Sequence, residues 1–212
     1  MTHTLLASDG RPIGERAQRT RRTLLDSLTR QLSTSGFRDL TVADVARGAR
    51  TSPASFYQYF PTVEDALNAL AEEAVQAALN HPALREMPAA WDGADITPAV
   101  EVVSAFFSLY DDHRPVLRAV EAKAAEGDGR FIAVRNRFLD SLRAQLSHVV
   151  AQGRPAFTPQ EHAGLTELLV VMLAATAAHE QQATTWPFGP EQMRLFAART
   201  VHEVVTTTLA AR

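Results

Sequence analysis

The chain has 212 residues, 46% of them hydrophobic and 21% charged, which is ordinary for a globular protein with a buried core. The absence of cysteine excludes disulfides, thiolate metal sites and thiol nucleophiles. No apolar run approaches the roughly 20 residues that cross a bilayer. The N-terminal segment lacks the apolar core of a signal peptide, so we expect a cytoplasmic protein without a membrane partner.

The net charge of −3 conceals an uneven distribution. Residues 1–60 carry nine arginines and five acidic residues, whereas residues 61–212 carry twelve basic and nineteen acidic residues. A basic N-terminal quarter on an acidic body is typical of a nucleic-acid reader joined to a second module. A solvated basic tail would give the same charge count, so charge alone does not distinguish it from a nucleic-acid-binding module.

Helical start and stop signals recur along the chain without strand-like alternation, which predicts an all-α fold of about nine helices. Thr41 and Asp44 form a capping-box pattern, and Ser52 precedes a proline at a first helical position. Gly36 can end the first helix in the left-handed conformation. The proline-rich segment 81–98 predicts a loop or a broken helix. The predicted helices cover residues 16–33, 41–49, 52–60, 62–80, 98–113, a segment that begins at Pro115, 128–152, 159–182 and 190–211.

Two of these helices, 41–49 and 52–60, are short and are joined by a turn of only a few residues. This is the spacing of a helix-turn-helix, in which the second helix enters the major groove of DNA. We therefore predict a three-helix DNA-binding domain over residues 1–61. Residues 62–212 are predicted to form a larger helical body, with the helix at 62–80 bridging the two. Its predicted role as an effector-binding and dimerisation domain depends on the resemblance and the residues described below.

The second helix of this pair, "SPASFYQYF", presents a small polar face. With about 100° per residue, placing Phe56 and Phe60 toward the core turns Gln58 outward. A glutamine can pair bidentately with adenine, while serine and alanine allow close approach to base edges. Tyr57 and Tyr59 flank the apolar stripe, where their hydroxyls can reach phosphates. Ordinary half-buried positions at the rim of the core would explain the two tyrosines equally well.

The segment from Arg19 to Leu67 resembles the N-terminal domain of the TetR (tetracycline-repressor) family of bacterial transcription regulators. The runs "GF", "LTVADVA" and "TSPASFYQYFP" carry the resemblance. The body resembles the family only in the number and order of its helices. The resemblance implies a homodimer that binds a palindromic operator in double-stranded DNA and is released by a small molecule. We therefore predict a repressor, and we predict no cofactor.

The resemblance also implies which residues contact DNA. Arg50 stands where the turn usually has glycine, so the turn either tolerates another residue or has a different shape. Val63 stands where many members have a lysine that contacts phosphate, and no such contact is assigned to it. Arginines at the start of the first helix either reach phosphate or form a solvated arm. The predicted DNA-contacting residues are Thr41, Val42, Arg50, Thr51, Ser52, Ala54, Ser55, Tyr57, Gln58, Tyr59, Arg19 and Arg22.

Aromatic residues cluster in the body and predict a pocket for a small, largely apolar or aromatic effector. A plain core would contain the same aromatics, and a body that docks a protein partner without a small ligand is the alternative function. The predicted effector-contacting residues are Phe106, Phe107, Tyr110, Phe131, Asn136, Phe138, Met172, Thr176 and His179.

The run "LTELLVVMLAATAA" (165–178) is apolar nearly all round, which favours a helix pressed between its own domain and a partner. Two-fold pairing would supply the two readers that a palindromic site requires. A wholly intrachain core is the alternative. The predicted dimer-interface residues are Leu165, Leu168, Leu169, Met172, Met193, Phe196, Val201 and Val204.

Enzyme signatures are missing from the sequence. The seven histidines show no paired-ligand spacing, so no metal site is predicted. No phosphate loop, nucleophile elbow or dinucleotide fingerprint occurs. A hydrolase or lyase built in a helical bundle is the rival class, but it leaves the basic N-terminus and the recognition helix unexplained. We therefore predict a regulator and not an enzyme.

Overall fold

The structure is a computed structural model that describes residues 14–86, 91, 93–180 and 187–207. Within these residues every regular element is a helix and there are nine of them, which confirms the predicted all-α class. The predicted ends of the last two helices lie outside the described residues. The helices are α1 (Glu15–Ser35), α2 (Val42–Gly48), α3 (Pro53–Tyr57), α4 (Val63–Asn80), α5 (Pro82–Arg85), α6 (Thr97–Ala125), α7 (Gly129–Gly153), α8 (Pro159–His179) and α9 (Pro190–Thr206).

Side-chain caps fix the helix starts as predicted. The Thr41 hydroxyl accepts from the Asp44 backbone N–H at 3.2 Å, and the Asp44 carboxylate accepts from the Thr41 N–H at 3.2 Å. The Ser52 hydroxyl accepts from the Ser55 N–H at 3.2 Å. Gly36 has the expected positive φ of 72°, but its ψ of −171° is extended, a combination that only glycine adopts readily.

The short helix α5 lies inside the segment that was predicted as a loop or a broken helix. Gln145 of α7, which is 1% exposed, donates to the carbonyls of Leu84 and Glu86 at 2.9 Å each. These bonds satisfy backbone acceptors at the end of the turn. Their donor comes from about sixty residues later in the chain, so no local pattern could have indicated it.

One continuous helix, α6, replaces the two helices predicted on either side of Pro115. Proline lacks the N–H that would bond to the Asp111 carbonyl, and an interior proline costs about 3 kcal/mol. Arg114, Val116 and Leu117 around it are all buried. The free energy gained by burying these side chains outweighs the cost of an interior proline, which the sequence-based prediction considered without its tertiary surroundings.

The chain forms two compact units that are not consecutive in sequence. Helices α4, α6 and α7 each contribute residues to both units. Among the described residues, the first unit contains 14–73 and 115–135, and the second contains 74–86, 91, 93–114, 136–180 and 187–207.

The first unit holds α2 firmly between its neighbours, since α2 packs against both α1 and α3. Phe56 of α3 and the leucines of α1 are buried in its core. At the end of α2, Gly48 permits close approach, because a Cβ there would collide with the Ser27 hydroxyl of α1. That hydroxyl donates to the Val45 carbonyl at 2.9 Å. α1 therefore supplies a hydrogen-bond donor to the last turn of α2.

Four aromatic rings lie at the centre of the second unit. The Phe106 ring centroid is 6.1 Å from those of Phe107 and Phe138, and the Tyr110 centroid is 6.4 Å from that of Phe138. Each of the four residues is at most 3% exposed. These aromatics are packed against one another as core of this unit.

A network of four charges joins α6, α8 and α9 within the second unit. Arg114 contacts Asp111 and donates to the Ala177 carbonyl at 2.8 Å. The Glu180 carboxylate accepts from Arg194 at 2.8 and 2.7 Å, and Arg194 also contacts Asp111. Burial alone would raise the pKa of Asp111, but the hydrogen bonds from the two arginines lower it. Hydrogen bonds to Glu180 and Asp111 raise the pKa of Arg194.

One described helix, α8, is long and apolar enough to cross a membrane, and 28% of its most apolar window is buried. Length and composition alone are weak evidence for a membrane span, because core helices meet the same criterion. The exposed apolar residues on α8 are the feature that needs an explanation.

Candidate nucleic-acid interface

The turn between α2 and α3 closes with a Schellman motif. The Thr51 N–H donates to the Ala46 carbonyl at 2.9 Å, and the Arg50 N–H donates to the Arg47 carbonyl at 3.0 Å. Arg50 occupies the left-handed position of the motif with a φ of 55°. The turn therefore keeps the shape that glycine normally provides and builds it with an exposed arginine.

Arg50→Gly is expected to raise the free energy of unfolding by about 1 kcal/mol, because an L-residue in the left-handed region is strained and glycine is not. Urea denaturation followed by circular dichroism measures the change. Arg47→Gly is the matched control, since Arg47 is an exposed arginine inside α2. Glycine in a helix interior should lower stability by about 1 kcal/mol. A loss of stability in both variants would contradict the strain at Arg50.

The α3 residues predicted to face DNA are accessible. Ser52, Ala54 and Gln58 are exposed, and Ser55 is half-buried. Phe56, on the other side of the helix, is fully buried. The outward strip is therefore small and polar, with one amide side chain, as the helical wheel indicated.

Tyr57, the last residue of α3, and Tyr59, two residues beyond its end, differ in their surroundings. Tyr57 is 55% exposed, and its ring meets that of Phe56 edge-on at 6.0 Å. Tyr59 is half-buried, and its backbone N–H donates to the Phe56 carbonyl at 2.9 Å. Tyr57 thus has a ring supported by the core and most of its surface accessible, whereas Tyr59 also fits the rim interpretation.

The N-terminus of α2 is less available than the resemblance implied. Thr41 is exposed and Val42 is half-buried. Both donors of Thr41, its N–H and its hydroxyl, point to the Asp44 carboxylate. These bonds hold the pKa of Asp44 below its ordinary value, with a smaller contribution from Arg47. A phosphate contact from the Thr41 side chain would need this capping box to open.

The arginines at the start of α1 divide into two groups. Arg19 is exposed and has only a weak pair with Glu15 at 3.8 Å. Arg22 is paired with Asp26 and with Glu73 of α4, each at 2.7 Å. Partial burial opposes ionisation of Arg22, but these hydrogen bonds raise its pKa. Arg22 therefore joins α1 to α4, and a phosphate contact from its half-exposed side chain would have to compete with these two carboxylates.

Family models match both parts of the chain. The model described as "Bacterial regulatory proteins, tetR family" matches residues 24–70, and the model described as "Tetracyclin repressor-like, C-terminal domain" matches residues 86–212. The chain belongs to the TetR family. It is thus a transcriptional regulator with a helix-turn-helix, and the TetR assignment gives no support to the enzyme alternative.

Other TetR-type regulators share parts of the sequence or the whole fold. EthR of Mycobacterium tuberculosis is 35% identical over 88 residues, which span 41% of this chain and 40% of that regulator. A regulator from Saccharomonospora viridis, solved in complex with choline, has a TM-score of 0.71 at 17% identity, covering 90% of this chain and 100% of that one. KstR2 of Mycobacterium tuberculosis has a TM-score of 0.64 at 18% identity, and the match covers 89% of this chain and 95% of that one. The two structural matches establish the fold alone.

Several predicted effector contacts lie elsewhere in this TetR-family chain. Asn136 is exposed, because it sits two residues and therefore over half a turn from the buried Phe138. His179 is also exposed and bonds to the Ala175 carbonyl of its own helix at 2.8 Å. Thr176 and Met172 are half-buried, and the Thr176 hydroxyl donates to the Met172 carbonyl at 2.7 Å. Asn136 and His179 were expected to supply polar groups to an interior pocket, but both side chains are exposed to solvent.

Phe131 is fully buried in the first unit, whereas the other predicted pocket aromatics, Phe106, Phe107, Tyr110 and Phe138, are buried in the second. Phe131 and Phe138 share a helix and a heptad spacing, which made them look equivalent in the sequence. The assignment of α7 to both units separates them.

The predicted dimer residues also divide by burial. Leu168 and Phe196 are 65% and 44% exposed. Leu165, Met172, Met193 and Val204 are half-buried. Leu169 and Val201 are 2% and 0% exposed, so they belong to the core of their own unit and are corrected as interface residues. Sequence reasoning missed Val171 and Leu195, which are 55% and 37% exposed on the same helices.

Arg21 supports the recognition helix in a way that sequence reasoning missed. Its guanidinium lies 5.1 Å from the centre of the Phe60 ring, just beyond α3. Burial, only partly offset by Glu73, lowers the pKa of Arg21. Arg21 and Arg22 lie on different faces of α1, so Arg21 packs on the Phe60 ring while Arg22 pairs with carboxylates. A count of charges in the sequence does not distinguish these two roles.

Proposed function

We propose that the chain is a homodimeric repressor that binds a palindromic operator and is released by a small, largely apolar effector. The observation that carries the DNA-reading part is the exposed polar strip of α3, set on a buried Phe56 and followed by the exposed Tyr57. The residues up to 61 read DNA, and the body from 62 onward binds the effector and the second copy. The protein acts in the cytoplasm.

Unsatisfied polar atoms in the second unit support a small-molecule site there. Among the described residues, the side-chain atoms Trp91 Nε1, Arg114 Nε, Gln145 Oε1 and Thr166 Oγ1 are buried without a hydrogen-bond partner. All four lie in the second unit. Native interiors leave few such atoms unpaired. A mostly aromatic interior with a few open polar atoms fits an apolar effector that carries one or two hydrogen-bonding groups.

Exposed apolar residues on α8 and α9 support the homodimer. Leu168 and Val171 lie on one side of α8, and Leu195 and Phe196 lie on α9. Such residues grouped on two helices are typical of a covered surface. A second copy is the occupant that also gives the two readers needed for an inverted repeat.

Selection of binding sites from a random DNA pool tests the function. The wild-type protein should enrich an inverted repeat. Gln58→Ala should blur one base position in each half-site, at a cost of about 1–3 kcal/mol, because a bidentate side-chain contact to a base is lost. Sequencing the enriched pools measures the effect.

Gln76→Ala is the matched control, since Gln76 is an exposed glutamine of α4 that belongs to the second unit. It should select the same motif as the wild type. No enrichment by the wild type, after extraction of any co-purified small molecule, would refute DNA reading. Enrichment of a motif without two-fold symmetry would refute the homodimer.

A further inference from the structure

The chain contains 21 basic residues, and Lys123 is its single lysine. It lies near the C-terminal end of α6, in the part of that helix that belongs to the first unit. Its side chain is only 20% exposed. No predicted DNA contact includes it, and no motif in the sequence indicated a role for it.

Three partners surround the Lys123 ammonium group. It donates to the Glu126 carboxylate at 2.9 Å, lies 4.0 Å from a carboxylate oxygen of Glu64, and lies 5.8 Å from the centre of the Phe37 ring. The hydrogen bond to Glu126 raises the pKa of Lys123, and Glu64 adds to the effect. The ammonium group is therefore charged at any pH at which the protein would bind DNA.

The contacts to Phe37 and Glu64 fall beside both DNA-facing segments. Phe37 lies in the loop that leads into Thr41, where α2 begins. Glu64 lies in the first turn of α4, directly after the residues that follow α3. The Lys123 side chain thus contacts the loop before α2 through Phe37 and the start of α4, after α3, through Glu64.

A second ion pair fixes the same turn of α4. Arg130, in the first turn of α7, lies 3.3 Å from Asp65, but its side chain is 54% exposed. Solvent weakens a pair that exposed. The Lys123 side chain is less exposed, at 20%, and its aromatic contact is to Phe37, so it links α4 to the loop before α2 as well as to α6.

We infer that Lys123 is a positioning residue for DNA recognition: it touches no DNA and holds the entry to α2 and the start of α4 so that the reader keeps one shape. This rests on the proposed function. The helix α6 also carries Phe106, Phe107 and Tyr110, which are buried in the second unit. Lys123 lies near the C-terminal end of this helix, in the first unit.

The test uses a labelled duplex bearing the inverted repeat enriched by the wild-type protein, with affinity measured by fluorescence anisotropy over a series of salt concentrations. Lys123→Met should weaken binding by about two- to thirtyfold, the range of mutations that act through a packed network. The slope of log affinity against log salt should stay unchanged, because no phosphate contact is lost. Lys123→Arg, which keeps the charge, should restore most of the affinity.

Two comparison variants interpret the result. Arg50→Gly removes a cationic side chain at a predicted DNA-contacting residue; if Arg50 contacts phosphate, this variant should lower the salt slope by about one. Arg143→Met removes a partly exposed ion pair with Glu167 in the second unit and should leave operator affinity unchanged. If Lys123→Met is partly unfolded at the assay temperature by circular dichroism, Glu64→Gln weakens the same contact from the other side and should lower affinity with an unchanged slope.

Equal binding by Lys123→Met and the wild type would overturn the inference, as would a slope reduced by about one, which would make Lys123 a phosphate contact. Failure of Lys123→Arg to restore binding would overturn it too. If the wild type selects no DNA, the proposed function fails and this inference fails with it; if the wild type selects an operator, only the inference is at stake.

Discussion

Leu168→Glu is expected to give a monomer that no longer binds an inverted-repeat operator at concentrations that saturate the wild type. Leu168 is 65% exposed on α8, beside Val171 at 55%. In a two-fold interface one substitution places two carboxylates in the covered surface. An unpaired charge buried there costs several kcal/mol. Sedimentation equilibrium measures the mass, and anisotropy measures binding.

Loss of the dimer removes the advantage of two linked readers, which amounts to about a hundred- to ten-thousandfold in affinity. Leu79→Glu is the matched control, because Leu79 is a 42% exposed leucine at the end of α4 and not on α8 or α9. It should remain dimeric and bind normally. A dimeric Leu168→Glu that binds like the wild type would exclude this face as the interface.

Glu180→Ala should lower the free energy of unfolding by about 3–5 kcal/mol, the usual effect of removing one member of a buried ion pair. The Glu180 side chain is 2% exposed and accepts two hydrogen bonds from Arg194. Without it, Arg114 and Arg194 share the single carboxylate of Asp111 in a largely desolvated place. Urea denaturation measures the loss.

The exposed pair of Arg143 and Glu167 provides the control, since the Glu167 side chain is 54% exposed. Glu167→Gln should change stability by less than about 1 kcal/mol. The double variant Glu180→Leu with Arg194→Leu should lose less than Glu180→Ala, because Arg114 and Asp111 still neutralise each other. Equal small losses in Glu180→Ala and Glu167→Gln would show that the network is not a buried one.

Local rules predicted the features that local chemistry determines. The caps at Thr41 and Ser52 follow from contacts within a few residues of each other, and the burial of Phe56 follows from the periodicity of its own helix. The helix α5 depends on Gln145, about sixty residues later in the chain, and the passage of α6 through Pro115 accompanies the burial of Arg114, Val116 and Leu117. No propensity or periodicity contains that information.

The candidate site shows the same division. The outward strip of α3 could be predicted because one helical wheel places Gln58 opposite the core. The duty of Arg22 could not, because Glu73 lies 51 residues later. Leu169 and Leu168 are neighbours with the same hydropathy, and only the packed structure tells that the first is core and the second is surface.

Three helices, α4, α6 and α7, pass from one compact unit into the other. A single crossover between two related genes, at any point between residues 70 and 86, would therefore pair one parent's reader with the other parent's residues 115–135. Those residues include Lys123 and Arg130, whose partners Glu64 and Asp65 would then come from a different ancestor. No single exchange point in the chain can therefore transfer one unit whole, because each unit is built from two separate stretches of sequence.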